Sequence, residues 1–176
     1  LAGVVSGNSA IIDALRDFHH MLGATLDPNS AYLLNRGLKT LGLRLKQQNK
    51  SGLDIARFLE EDIHVSRVFY PGLNSHPSHE IAGKQMLGFG GMVSFKICGG
   101  FEKARKFIDA LRIPKIAASL GGVESLVSHP ASMVYHDISD EELEEQGISK
   151  DLIRIAVGVE DCSDLIKDIK NALRKE

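Results

Sequence analysis

An arginine inside a strand-like run and a hydroxyl beside a glycine turn are the side chains here whose types and placement point to chemistry. The arginine is Arg154, in "LIRIAVGVED" from Leu152 to Asp161. Alternation along a strand sends Ile153, Ile155 and Val157 to one face and Leu152, Arg154 and Ala156 to the other. A guanidinium in such surroundings needs a partner, because an unpaired buried cation costs several kcal/mol or more and the group does not shed its proton. Two kinds of partner are open to it. One is a carboxylate of the chain itself, with Glu124 and Glu160 as candidates; the other is a carboxylate brought by a ligand, which a planar guanidinium grips through two parallel hydrogen bonds.

The second feature is "ASLGGVES", which ends a strand with the hydroxyl of Ser119. It then places Gly121 and Gly122 where backbone N–H groups can approach a ligand. Alone this is a glycine turn; next to Arg154 it becomes the other half of a carboxylate seat. Other polar groupings read more plainly. "HPSHE" gathers His76, His79 and Glu80, but the histidines are not at the HExxH spacing of a zinc helix and no third ligand is in view, so it reads as a surface helix start. His19 and His20 are adjacent and diverge on a helix. Gly88, Gly90 and Gly91 of "GFGG" lead from a helix into a strand, the reverse of a dinucleotide loop, and read as a tight turn. "EELEE" reads as a solvated helix face.

Elements with regular patterning position these residues. "NSAIIDALRDFHHMLG" places Ile11, Ile12, Leu15 and Phe18 near one helix face, with Asn8 or Ser9 as cap and Gly23 as terminator. Asp27 and Pro28 open a long helical region broken near Gly37. Strands are expected over Val65 to Tyr70, Met92 to Ile97 and Lys115 to Ala118, with helices over Pro77 to Met86 and Phe101 to Leu111 between them. "SLGGVESLVSHPASMVYH" is too polar and glycine-rich to be one element. The Arg154 strand and a final helix burying Leu165, Ile166, Ile169, Ala172 and Leu173 complete an α/β sandwich, a small sheet covered by helices on one side. The opening "LAGVVS" reads as a strand without a partner, and hence as the continuation of a longer polypeptide.

Composition narrows the function classes. The chain is 43% hydrophobic and 25% charged over 176 residues, with a formal net charge of -2. That is the makeup of a globular protein with one good core, without the basic field that nucleic acid requires. No apolar run approaches the roughly 20 residues of a membrane helix. Cys98 and Cys162 form no CxxC pair and are expected as reduced thiols.

Four stretches then carry a family resemblance in the correct order along nearly the whole chain: "LDPNSAYLLNRGLKTLGLRLKQQN", "VFYPGLNSHPSHEIAGKQMLGFGGMVSF", "ASLGGVESLVSHPASM" and "GISKDLIRIAVGVEDCSDLIKDI". Together they resemble the C-terminal part of the Cys/Met-metabolism, or transsulfuration, pyridoxal-phosphate enzymes. The resemblance implies a fold-type-I, aspartate-aminotransferase-like α/β architecture. Residues 1–26 would be the tail of the large cofactor domain, 27–63 a connecting long helix, and 64–176 a substrate-gripping domain with a mainly antiparallel sheet. It implies that Arg154 binds the α-carboxylate of an amino-acid substrate, that Ser119 helps to hold it, and that Glu124 is structural. The Schiff-base lysine and the groups that hold pyridoxal 5'-phosphate fall upstream of this chain, and neither Lys39 nor Lys115 occupies the lysine motif. The reaction implied is γ-replacement on an activated homoserine by cysteine, with γ-elimination or sulfhydrylation as the enzymatic alternative and a non-catalytic regulatory fragment as the alternative of another class. Ala118 stands where some members carry a glutamate, which leaves the subtype open. The partners implied are the N-terminal half of the same enzyme and further copies in a homotetramer, in the cytoplasm or an organelle stroma.

Overall fold

The computed structural model describes residues 2–135 and 137–175. The chain divides into two compact units, Leu1–Gly42 and Leu43–Glu176.

In the first unit, α1 (Ser9–Leu22) starts where the Asn8 side chain accepts the Ile11 N–H at 3.0 Å, and it stops on Gly23 in the left-handed conformation, φ 65°. These are the cap and terminator its sequence predicts. Asp27 likewise caps α2 (Pro28–Leu38) by accepting the Ser30 N–H at 3.0 Å, with Pro28 in the first turn. The helical run breaks at Lys39 and Thr40, just past Gly37. The expected opening strand is corrected: residues 2–6 form no ladder and Val4 is 90% exposed, while Leu1 lies outside the described residues. A strand needs a neighbour for its N–H and C=O groups, and none among the described residues provides one.

The second unit takes in α3 (Leu41–Glu61) from Leu43 onward, β1 (Val65–Phe69), α4 (His79–Gln85), β2 (Met92–Ile97), α5 (Gly100–Ala110), β3 (Lys115–Ile116), β4 (Leu126–Ser128), α6 (Pro130–Met133), α7 (Asp140–Glu145), β5 (Leu152–Ala156) and α8 (Cys162–Leu173). The sheet order is β1-β2-β5-β4-β3. Every pairing is antiparallel except β3 with β4, as the expected mainly antiparallel sheet requires. The last strand in sequence therefore lies at the centre.

Alternation decides the two faces. Val93, Phe95 and Ile97 of β2, Ile153 and Ile155 of β5, and Val127 of β4 are buried in one cluster with Ile55 and Leu59 of α3, Phe107 of α5, and Leu165 and Ile169 of α8. Phe95 and Phe107 meet edge to face with centroids 5.7 Å apart. Each large side chain buried in this layer contributes about 1.5–3 kcal/mol relative to exposure. The opposite face carries Met92, Ser94 and Lys96 on β2, and Leu152, Arg154 and Ala156 on β5.

Candidate functional site

Arg154 sits at the middle of the central strand, directly opposite Ser94 on one side and Ser128 on the other. Directly opposed residues of an antiparallel pair share a face, so the guanidinium rises between two hydroxyl-bearing positions. It is half-buried, and its Nη2 donates to the Ala118 carbonyl at 2.8 Å and, more weakly, to the Ser119 carbonyl at 3.4 Å. Nη1 and Nε have no partner among the described residues. Neither internal carboxylate offered by the sequence fills the seat: Glu160 is engaged with Ser125, and no ion pair joins Glu124 to Arg154 among the described residues.

Ser119 is brought beside Arg154, but through its backbone. Its carbonyl faces the guanidinium while the residue itself is exposed, in a turn that Gly121 completes at φ 77°. Two positions that pattern reading passed over also belong here. Ser128 is 1% exposed and its Oγ has no hydrogen-bond partner among the described residues. Gln48 of α3 is buried and donates from Nε2 to the Gly122 carbonyl at 2.8 Å. A strand signal was weak at Ser128 because β4 is only three residues long. Gln48 stands in a helix rich in amides, where nothing local separates it from its neighbours.

The remaining motifs take the plainer roles. His76 Nδ1 accepts the Ser78 N–H, and the His79 ring is bonded to the Pro71 carbonyl at 2.8 Å. No group of three or more His, Cys, Asp or Glu side chains placed to hold a metal occurs among the described residues. In the "GFGG" turn the Gly90 N–H donates to Asn49 Oδ1 at 2.7 Å, and Tyr70 Oη donates to the Gly90 carbonyl at 2.8 Å. A Cβ on Gly91 would lie 2.9 Å from the Val157 carbonyl, so the glycine serves close packing. The acidic run forms α7 with Ser139 and Glu142 in a capping box. Cys98 and Cys162 are both free. No helix among the described residues is long and apolar enough to cross a membrane.

The open guanidinium edge of Arg154 can grip a carboxylate through two parallel hydrogen bonds. That edge lies between the Ser94 and Ser128 positions, and Lys96 lies on the same face of the sheet two residues beyond Ser94. Lys39 is exposed after α2, and Lys115 Nζ donates to the Arg112 carbonyl at 3.2 Å.

Comparison with known proteins places the chain in a family. Residues 1–174 match the model of the family described as Cys/Met metabolism PLP-dependent enzyme. The chain is 51% identical over 173 residues to cystathionine gamma-synthase 1, chloroplastic, of Arabidopsis thaliana, covering 98% of this chain and 31% of the relative. It is 48% identical over 178 residues to cystathionine beta-lyase of Lactococcus lactis subsp. cremoris, covering 100% of this chain and 46% of the relative. The crystal structure of a cystathione gamma lyase from Micromonospora echinospora superimposes with a TM-score of 0.90 at 35% identity, over 98% of this chain and 45% of that one. The chain thus spans between about a third and a half of the length of these relatives. Its matching sequence, its mainly antiparallel sheet with helices on one face, and its superposition on that structure agree: the chain belongs to the Cys/Met metabolism PLP-dependent enzymes.

Proposed function

We propose that this chain is the substrate-gripping part of a transsulfuration enzyme in which Arg154 receives the α-carboxylate of the amino acid and Ser119 stands beside it. The observation that carries the reading is the open guanidinium edge on the central strand. One Nη is held by loop carbonyls, and among the described residues the other donors have no partner and no carboxylate closes on them. Such a group binds and orients: two parallel hydrogen bonds to a carboxylate fix both the position and the rotation of the amino acid about its Cα. Pyridoxal phosphate, which the family uses, supplies the electron sink for breaking bonds at Cα and Cβ when bound. The residues described here fit the reactant's acid end, and none of them is assigned to the cofactor.

Residues 1–26 then form the tail of the cofactor domain, 27–63 the connecting helical segment, and 64–176 the gripping domain. Exposed apolar side chains on α1, among them Ile11, Leu15 and Phe18, support packing against further parts of the same enzyme, assembled as a homotetramer. The cytoplasm or an organelle stroma suits such a protein.

For the reaction we infer γ-replacement on an activated homoserine by cysteine, the activity of cystathionine gamma-synthase. The 51% identity to a protein of that name supports it. A lyase reading has its own support in the identity to proteins named as lyases, and Ala118 before the "SLGG" serine favours neither reading. Product analysis of the full-length polypeptide with acylated homoserine separates them. Cystathionine formed only when cysteine is supplied establishes replacement; keto acid and ammonia released without cysteine establish elimination. Absence of any product and of the cofactor's visible absorption would overturn the enzyme reading.

A further inference from the structure

The loop that holds Arg154 does not hold itself. Ser119, Leu120 and Gly121 are exposed. Its far end, in contrast, is pinned by a set of bonds that reach no part of the guanidinium. Buried Ser125 donates its N–H to Glu160 Oε1 at 2.6 Å and its hydroxyl to Glu160 Oε2 at 2.8 Å. The same Ser125 Oγ accepts the Gly158 N–H at 2.8 Å. Beside it the Val159 N–H donates to the Val123 carbonyl at 2.9 Å. From α3, Gln48 adds its bond to the Gly122 carbonyl. A Cβ on Gly158 would fall 2.2 Å from the Val123 carbonyl and 2.4 Å from Glu160 Oε2, so the three segments are in direct contact there.

These contacts close a circuit. The chain leaving the Arg154 strand runs through Gly158 to Glu160; Glu160 pins Ser125; and the loop behind Ser125 returns the Ala118 and Ser119 carbonyls to the guanidinium. We propose that Glu160 is a positioning residue for amino-acid binding, acting through Ser125 to keep the Ala118–Ser125 loop where its carbonyls aim Arg154, with Gln48 as a second anchor. The inference rests on the reading of Arg154 as a carboxylate seat. Its physical basis is preorganisation. An arginine side chain has much rotamer freedom to lose, and a loop that spends this freedom beforehand lowers the cost of binding. The carboxylate is suited to the task because it accepts both the N–H and the O–H of one serine in charge-assisted hydrogen bonds.

The test uses the full-length holoenzyme and L-2-aminobutyrate, an amino acid without a γ-leaving group, whose binding is read from the cofactor's absorption. Glu160→Ala is expected to raise its Kd, and the KM for acylated homoserine, about ten-fold, with kcat changing less than KM. Glu160→Gln, whose amide oxygen still accepts the Ser125 N–H, is expected to recover most of the loss. Amide exchange over residues 122–125 should quicken in Glu160→Ala while α5 and α8 keep their protection. Unchanged Kd and KM in Glu160→Ala, loss of protection spread equally over α5 and α8, or no recovery in Glu160→Gln would each overturn the proposal. If Glu160→Ala does not fold, Gln48→Ala decides: a rise in Kd of about three-fold is expected, and an unchanged Kd overturns it. Arg154→Leu is the separating control. Unchanged binding there removes the carboxylate seat itself, whereas weakened binding there with normal binding in Glu160→Ala removes only the positioning role.

Discussion

At the scale of the residue, Arg154 shows what alternation can and cannot reveal. Its place on the face opposite Ile153 and Ile155 follows from a period of two, and both isoleucines are buried as that period demands. Its partner does not follow from any period. If the free edge of the guanidinium receives a carboxylate, Arg154→Ala should lower kcat/KM by about 2 kcal/mol, roughly thirty-fold, mainly through KM. Steady-state kinetics with the full-length enzyme would show it, and unchanged kinetics would exclude the role. Arg154→Lys should lose nearly as much, since an ammonium cannot present the planar fork. Ser119→Ala should cost less, because the atom that Ser119 turns to Arg154 is a carbonyl, which alanine keeps. Ser128 makes the opposite forecast. Its hydroxyl is buried without a partner, so Ser128→Ala should leave stability unchanged or raise it by about 1 kcal/mol in chemical denaturation. A clear loss would mean that the hydroxyl is satisfied in solution.

At the scale of the element, most helices and strands were legible because their signals are local: Asn8, Asp27 and Gly23 cap what they were expected to cap, and β2 spans Met92–Ile97 as patterned. β4 was not legible. Leu126–Ser128 is a strand only because Leu126 and Val127 find Lys115 and Ile116 on one side and β5 on the other. Gly158 follows β5, and its close approach to the Val123 carbonyl is likewise a property of two strand ends meeting. Gly158→Ala should therefore destabilise by about 1–3 kcal/mol, the range for forcing atoms into a filled site, as checked by the thermal midpoint. The two thiols differ in the same way. Burial pushes the Cys162 thiol up, so it offers less thiolate at neutral pH, while Cys98 is exposed at the end of β2. In this chain, iodoacetamide followed by mass spectrometry should find Cys98 modified well before Cys162.

At the scale of the whole molecule, Tyr70 ties stability to alkaline pH. It is fully buried, and its hydroxyl donates to the Gly90 carbonyl beneath the "GFGG" turn. Burial first, and the charge of Asp54 second, push its phenol up to about 12 from an ordinary value of 10.0. The folded state thus disfavours the phenolate. The contribution is complete below the ordinary phenol value and is lost as pH rises through the folded one, about 2–3 kcal/mol in all. Denaturation midpoints taken across this range should fall, and Tyr70→Phe should lack that share of the fall. Asp62 acts at the other end. Burial alone would raise its carboxyl, but the backbone N–H and ring of His64 outweigh burial and hold it low. Its contribution is present above the ordinary carboxylate range and is lost as pH falls through the lowered value. From sequence alone came the family, the helix caps, the strand faces and the singling out of Arg154, because each depends on residue types at short spacings. Only the tertiary structure put β5 at the centre of the sheet and chose between Glu124, Glu160 and an open seat for Arg154. Glu160 reaches Ser125 across 35 residues of chain at 2.6 Å, and a choice made over ångströms between segments so far apart is written in no local pattern.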